Sequence, residues 1–307
     1  VSTVIRAEGL SKWYGNVLGL SDVSLEIQPG IVGLLGPNGA GKSTFMKLLT
    51  GQLKPSLGRI LIDGRPIWNS VDLFGRFGFC PEPDAFYEDM TGWEFLSRIF
   101  RFSGDSRTEA EARAERALAS VDLTRDKDRL IRGYSRGMRQ RVKVAQAMAH
   151  DPEILVLDEP LNGLDPLGKR KVIRLIKEYR SQGRTVLVSS HVLPEIEALT
   201  REIILIHQGK ILAQGDIHAM RDLIEKHPHI VAVRCDRPRE LAARLVGETG
   251  VIDVRFEGQD GLIMEIRDRD RLFGLLPGLA ADGGLDIREI TSPDDNLQAV
   301  FDYLVGK

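Results

Sequence analysis

The stretch "GPNGAGKST", residues 36–44, has the form G-x-x-x-x-G-K-[ST], and its surroundings settle how it is read. Before it stands "IVGLL", an apolar run of strand length. After it "KSTFMKLLT" carries helical spacing and stops at Gly51. Strand, glycine-rich turn and helix, in that order, make a cradle whose backbone N–H groups close on phosphate oxygens. Gly36, Gly39 and Gly41 are expected to take positive φ and bring the main chain close to the anion. Pro37, Asn38, Ala40 and Thr44 complete the loop. Lys42 is expected to reach the β- and γ-phosphates, and the Ser43 hydroxyl suits Mg²⁺. A glycine-rich turn without a ligand is the plain alternative, and the flanking strand and helix argue against it.

Two later stretches supply partners. "ILVLDEP" places Asp158 at the carboxyl end of an apolar strand, where ligands bind in open α/β sheets. Asp158 is expected to hold the metal, and Glu159 to accept a proton from a water attacking the γ-phosphate. "SSH", residues 189–191, ends the next strand, so His191 is placed to donate to that phosphate and position the water. Alone, a histidine there would be read as structural.

Composition narrows the rest. The 307 residues suggest two domains. Lys+Arg is 42 against Asp+Glu 44, a net charge of -2, which gives no electrostatic case for a nucleic-acid partner. Cys80 and Cys235 are the only cysteines, too few for a disulfide scaffold. No apolar run approaches the ~20 residues that cross a bilayer. "VSTVIRAEGLSKWYG" lacks the basic start and apolar stretch of a secretion signal. The expectation is a cytoplasmic chain that reaches a membrane only by docking.

Short strands "VIRAEGL", "DVSLEI", "IVGLLG" and "RILID" fill residues 3–62. Helices follow, one opened by a capping box of Ser106 and Glu109 and striped by Ala110, Ala114, Ala117, Leu118 and Val121. Beyond Pro152, buried strands alternate with helices, which implies a parallel sheet. Residues 1–225 thus read as one α/β domain with a helical insertion near 91–150. "EKHPH" reads as a linker. Residues 229–307 read as strand 229–235, helix 238–247, strands 251–257 and 262–267, helix 270–281, strand 285–291 and helix 294–305. That βαββαβ order is the ferredoxin-like α+β arrangement.

"YSRGMRQR", residues 134–141, poses a separate question. Ser135 is a good N-cap, yet Arg136 and Arg139 crowd a helix end that is already positive, unfavourable by roughly 0.3–1 kcal/mol each. An anion would account for them; pairing with Asp or Glu of the same chain is the plainer explanation.

The ordered set "GPNGAGKST", "YSRGMRQR", "LVLDEP", "NGLD", "SSH" resembles the ATP-binding-cassette ATPases, the nucleotide-binding subunits of ABC transporters. The likeness covers residues 3 to about 220. It implies the P-loop NTPase fold of that family: a parallel core sheet, an antiparallel β subdomain and a helical subdomain, with ATP and Mg²⁺ as cofactors. It places Tyr14 of "SKWYG" where an aromatic residue stacks on adenine, and "NGLD", with Asp165, where a loop runs along a subunit contact. It also implies that Ser135 and the N–H of Gly137 cap the γ-phosphate of ATP held by a second, identical subunit.

Three departures from the family pattern stand out. Tyr134, Arg136 and Met138 replace the leucine, first glycine and glutamine of the signature, as in drug and polysaccharide export ATPases. Glu82, in "GFCPEPDAFYEDMT", stands where glutamine is usual; a carboxylate can also ligate Mg²⁺. Asn162 replaces a common serine. Aromatic residues in "FYEDMTGWEFLSRIFRF" are expected to leave a groove for a polytopic membrane permease. The expected function is therefore the ATP-hydrolysing subunit of an exporter, peripheral on the cytoplasmic face of the membrane, with residues 229–307 as a dimer contact or regulatory unit. The alternative is a soluble ABC ATPase acting on DNA or the ribosome. The single cassette, the lack of a long coiled coil and the lack of basic linkers weigh against it.

Overall fold

Half-apolar strands build the first sheet. β1 (Ile5–Tyr14), β2 (Val17–Ile27), β4 (Leu57–Ile62) and β5 (Arg65–Pro66) pair antiparallel in the order β2-β1-β4-β5. β1 runs past the end expected from "VIRAEGL" to Tyr14. Gly9, at φ 56°, absorbs a pairing irregularity between Ala7 and Leu10, so the strand continues past it. These features come from a computed structural model that describes residues 4–217 and 229–292.

Fully apolar runs build the second sheet. β3 (Ile31–Leu35), β7 (Ile154–Leu157) and β8 (Thr185–Ser190) are buried at every position. With β6 (Phe77–Cys80), β9 (Glu202–His207) and β10 (Lys210–Asp216) the order is β10-β9-β3-β8-β7-β6. From β9 through β6 the pairings are parallel. Burial on both faces is the condition under which parallel strands persist. α1 (Lys42–Leu49) sinks Phe45, Met46, Leu48 and Leu49 into a core shared by both sheets. α2 (Val71–Phe74), α6 (Pro166–Ser181) and α7 (Leu193–Glu197) complete this part.

α3 (Gly92–Phe102), α4 (Arg107–Ser120) and α5 (Arg136–Met148) enclose a core of their own. The Ser106–Glu109 capping box is present, and every alanine of the expected stripe is buried. A second box, Thr91 with Glu94, opens α3. Its T-x-x-E signal is present in the sequence. The aromatic run divides: Phe95 and Phe100 are core, Phe86 stands edge-on to Phe95 at 5.0 Å, and Tyr87 and Phe102 are exposed. Most of these groups therefore pack within the helical layer.

The chain divides into two compact units between Gly215 and Asp216. In the second, β11 (His229–Cys235), α8 (Pro238–Leu245), β12 (Val251–Glu257), β13 (Gly261–Ile266), α9 (Arg269–Gly283) and β14 (Ile287–Thr291) follow the βαββαβ order. The sheet is antiparallel in the order β12-β13-β11-β14. Val231, Val233, Leu241, Leu245, Met264 and Leu272 form its core. The expected helix at 294–305 lies outside the described residues.

Two substitutions should separate core from cap in urea denaturation. Phe45→Ala removes a ring that is 0% exposed and should cost about 3–5 kcal/mol. Ser106→Ala loses only the α4 cap and should cost about 1 kcal/mol.

Candidate nucleotide-binding site

Four neighbouring strands deliver the candidate residues to one edge. The glycine loop leaves β3, Ser190 and His191 end and follow β8, Asp158 and Glu159 follow β7, and Glu82 follows β6. Because β3-β8-β7-β6 are adjacent and parallel, all four carboxyl ends face the same way. The N–H of Asp158 donates to the Cys80 carbonyl at 2.9 Å, extending the ladder into the site.

A cleft of about 340 Å³ is lined by residues 37–44, Gly19, Glu82 and Glu159. Gly39 and Gly41 take positive φ, 80° and 108°. Gly36 does not: it is needed for space, since a Cβ there would lie 2.3 Å from the Ile206 carbonyl oxygen. The expectation of a positive φ is thus corrected at that position. Lys42 is 6% exposed; its Nζ donates to the carbonyls of Gly36 (2.7 Å) and Pro37 (3.3 Å) and lies 3.2 Å from Glu159 Oε1. Ser43 and Thr44 sit in the cleft wall. Tyr14 is half exposed at its rim, its hydroxyl 3.4 Å from Thr44 Oγ1 and its ring against Gly19.

The two carboxylates differ. Asp158 is 1% exposed; Ser189 Oγ donates to its Oδ1 at 2.6 Å, while Oδ2 is buried without a hydrogen-bond partner. Glu159 is 5% exposed and sits at φ 50°, a left-handed conformation that costs a non-glycine residue of order 1–3 kcal/mol. That turn swings its side chain out of strand alternation toward Lys42. Ser189 Oγ accepts from its N–H (2.9 Å), Gln140 Nε2 donates to its carbonyl (3.3 Å), and His191 Nδ1 lies 3.0 Å from Oε2.

At the start of α5, Ser135 is the N-cap, its Oγ accepting from the Met138 N–H at 3.2 Å. Ser135 is exposed, and Gly137 is half-buried against the Gly163 carbonyl. The crowded cations have partners in the chain. Arg139 pairs through both terminal nitrogens with Glu88 at 2.5 and 2.8 Å, and Arg136 donates to Asn162 Oδ1 at 3.0 Å. The hydrogen bond from Arg139 holds the Glu88 carboxyl below its usual range. For Arg139 the plainer explanation holds: its anion is Glu88.

The sequence pattern of the ABC transporter family matches residues 20–162. The bacitracin transport ATP-binding protein BcrA of Enterococcus faecalis is 32% identical over 306 residues, which is 99% of this chain and 96% of that protein. The chain belongs to the ABC transporter ATP-binding proteins. The lantibiotic transport ATP-binding protein SrtF of Streptococcus pyogenes is 34% identical over 72% of this chain and 95% of its own length. A dimeric structure of a post-hydrolysis ATP-binding cassette bound to ADP and Pi has a TM-score of 0.63 at 26% identity, covering 69% of this chain and 98% of that one. The likeness to BcrA continues through the second unit, whereas that to the solved cassette covers about the length of the first.

Within the ABC family pattern, the departures become legible. Tyr134, in the signature leucine's place, is buried and donates its hydroxyl to the Asp126 carbonyl at 2.7 Å. Arg136 lays its stem over Gly163, where a Cβ would collide with it. Asp165 caps α6, accepting from the Gly168 N–H at 3.1 Å. Gly19, Ser189, Gln140 and Lys143 were missed as site residues. Ser189 lies in "SSH" and Gln140 in "YSRGMRQR", but neither stretch marks them by its own pattern, and Gly19 and Lys143 carry no motif. Lys42→Met removes the one side-chain ammonium that lines the cleft among the described residues. It should weaken ATP binding about 10- to 150-fold, the loss of a charged hydrogen bond of 1.5–3 kcal/mol. Titration with a fluorescent ATP analogue reads this.

Proposed function

We infer that the chain is the ATP-binding and ATP-hydrolysing subunit of a bacterial ABC exporter, acting through a separate membrane permease. The observation that carries this reading is the buried Glu159 carboxylate, held between Lys42 Nζ at 3.2 Å and His191 Nδ1 at 3.0 Å beside the phosphate cradle. A γ-phosphate entering the cradle competes for Lys42, since its oxygens are the better ligands for an ammonium than the carbonyls of Gly36 and Pro37. Lys42 then leaves Glu159, whose freed oxygen turns to a water and accepts its proton. His191 orients the water and the phosphate oxygen. Tyr14 stacks on the adenine at the rim.

The donor set fits Mg²⁺. Asp158 Oδ2 is a buried carboxylate oxygen without a hydrogen-bond partner, and Ser43 and Glu82 line the adjoining wall. Among the described residues no cage of three or more His, Cys, Asp or Glu side chains forms, which suits an ion that takes most of its ligands from phosphate and water. When bound, the ion neutralises charge on the β- and γ-oxygens. Ser43, Asp158 and Glu82 are its proposed ligands.

Ser135 and Gly137 are proposed to face the γ-phosphate on a second copy of the chain, so that ATP joins two incomplete half-sites. Residues 1–225 would carry this cycle and 229–307 an accessory role in dimer contact or regulation. Among the described residues no helix is long and apolar enough to cross a membrane. Docking to a polytopic permease on the cytoplasmic face is therefore proposed, through exposed Tyr87 and half-buried Phe86. The names of BcrA and SrtF, transport proteins for bacitracin and a lantibiotic, support export over work on DNA or the ribosome.

Glu159→Gln should lower ATP turnover about 10²–10⁴-fold, the range for a lost general base, with ATP binding kept. Light scattering of that variant should show a dimer only with ATP and Mg²⁺; unchanged turnover would remove Glu159 from its role. Tyr87→Ala should weaken co-sedimentation with permease-containing membranes while leaving ATP binding within about twofold, since this exposed ring does not line the cleft.

A further inference from the structure

Tyr14, at the rim of the phosphate cleft, closes β1, and the strand end that carries it is tied to the turn after α1. The Ser56 N–H donates to the Ser11 carbonyl at 2.9 Å, and the Trp13 N–H donates to Ser56 Oγ at 3.0 Å. Lys12 makes a third tie: its Nζ donates to the Lys54 carbonyl at 2.9 Å. Pro55 follows Lys54 and restricts it to extended backbone, which fixes where that carbonyl points. α1 starts at Lys42 in the phosphate loop. One helix thus carries the cradle at its first turn and the anchor of the rim just beyond its last.

Lys12 has a second contact. Its ammonium stands over the Tyr14 ring, 5.5 Å from the centroid. A cation there is attracted by the negative face of the ring. Tyr14 has few other restraints: it is 46% exposed, and its hydroxyl is 3.4 Å from Thr44 Oγ1. Gly19 lies against the Cδ2–Cε2 side of the ring, where a Cβ would come to 2.9 Å. With the ammonium over one face and Gly19 along one side, the ring is fixed in direction while nearly half of Tyr14 stays open to a flat partner.

We propose that Lys12 is a positioning residue for the base: held between the Lys54 carbonyl and the Tyr14 ring, it keeps that ring in stacking orientation before nucleotide arrives. The proposal rests on the nucleotide reading above, in which Tyr14 stacks on adenine. A ring already ordered has less rotamer freedom to lose on binding. The gain is confined to ligands that carry a base, since one made of phosphates alone meets the cradle and not the ring.

Isothermal titration of the full-length chain with ATP and with inorganic tripolyphosphate, both without Mg²⁺ to prevent hydrolysis, tests this. Lys12→Met keeps an apolar stem and removes the charge. It should weaken ATP binding about two- to fivefold, the range of an exposed cation–π contact, and leave tripolyphosphate binding unchanged. Lys12→Arg keeps a cation over the ring and should restore ATP binding. In a Tyr14→Ala background, Lys12→Met should have no further effect on ATP, because the group it positions is gone. Equal weakening of both ligands would make Lys12 a nearby charge and nothing more, and would overturn the proposal. So would unchanged ATP binding, or an undiminished effect in the Tyr14→Ala background. Retained tripolyphosphate binding shows that a variant is folded; where that ligand binds too weakly to measure, the double substitution decides on ATP alone. If Tyr14→Ala by itself leaves ATP binding intact, the stacking role of Tyr14 fails and the proposal falls with it. If the unsubstituted chain does not bind ATP, the nucleotide reading itself fails.

Discussion

The ion pair of Lys42 and Glu159 organises the site around it. Both groups are nearly fully buried and 3.2 Å apart. A buried charge survives only when paired and hydrogen-bonded; removing one partner of such a pair costs about 3–5 kcal/mol. Each partner is accordingly held from behind. Loop carbonyls hold Lys42, and His191, Ser189 and Gln140 hold Glu159, the last two through its backbone. Strain at φ 50° persists because these contacts over-determine it.

The second organising element is α5. Its first turn looks misplaced by helix-dipole logic, with two arginines at the positive end. The structure resolves the conflict by bringing a carboxylate and an amide oxygen to them from elsewhere in the chain. Glu88 lies 51 residues before Arg139, and Asn162 lies 26 after Arg136. The same helix then reaches Glu159 through Gln140 and the Glu82 loop through Lys143. What reads as one motif is thus the end of a strut that touches two loops of the site, the one after β6 and the one after β7. The alternation of small and charged residues along it follows from that: Val142, Ala145 and Met138 face the helical core, and the polar residues face the loops.

Much of this could be read from local pattern. The P-loop, "LVLDEP" and "SSH" each declare themselves because their chemistry needs particular residues at adjacent positions. The α4 stripe and the βαββαβ order of the second unit are legible for a similar reason, since burial follows periods of 3.6 and 2 along a single element. Gly36 shows where such reading fails. Positive φ is a property of a residue and its neighbours, and a glycine invites that explanation. The cause here is the Ile206 carbonyl, from a strand far along the chain. The aromatic run after Glu82 is similar: composition tells how many large rings there are, not that Phe95 and Phe100 are core while Tyr87 and Phe102 are exposed.

Local chemistry in the chain was enough to single out the glycine loop, its lysine, the two carboxylates and the histidine as candidates, because each is set by residues within a few positions of one another. Tertiary structure alone settled the strand order β3-β8-β7-β6 that sets their carboxyl ends side by side. It alone turned Glu159 toward Lys42, gave Arg139 to Glu88 and tied Lys143 to the Glu82 loop. Those pairings join residues tens to more than a hundred positions apart. Their geometry comes from which faces pack together, a property that no single stretch of sequence carries.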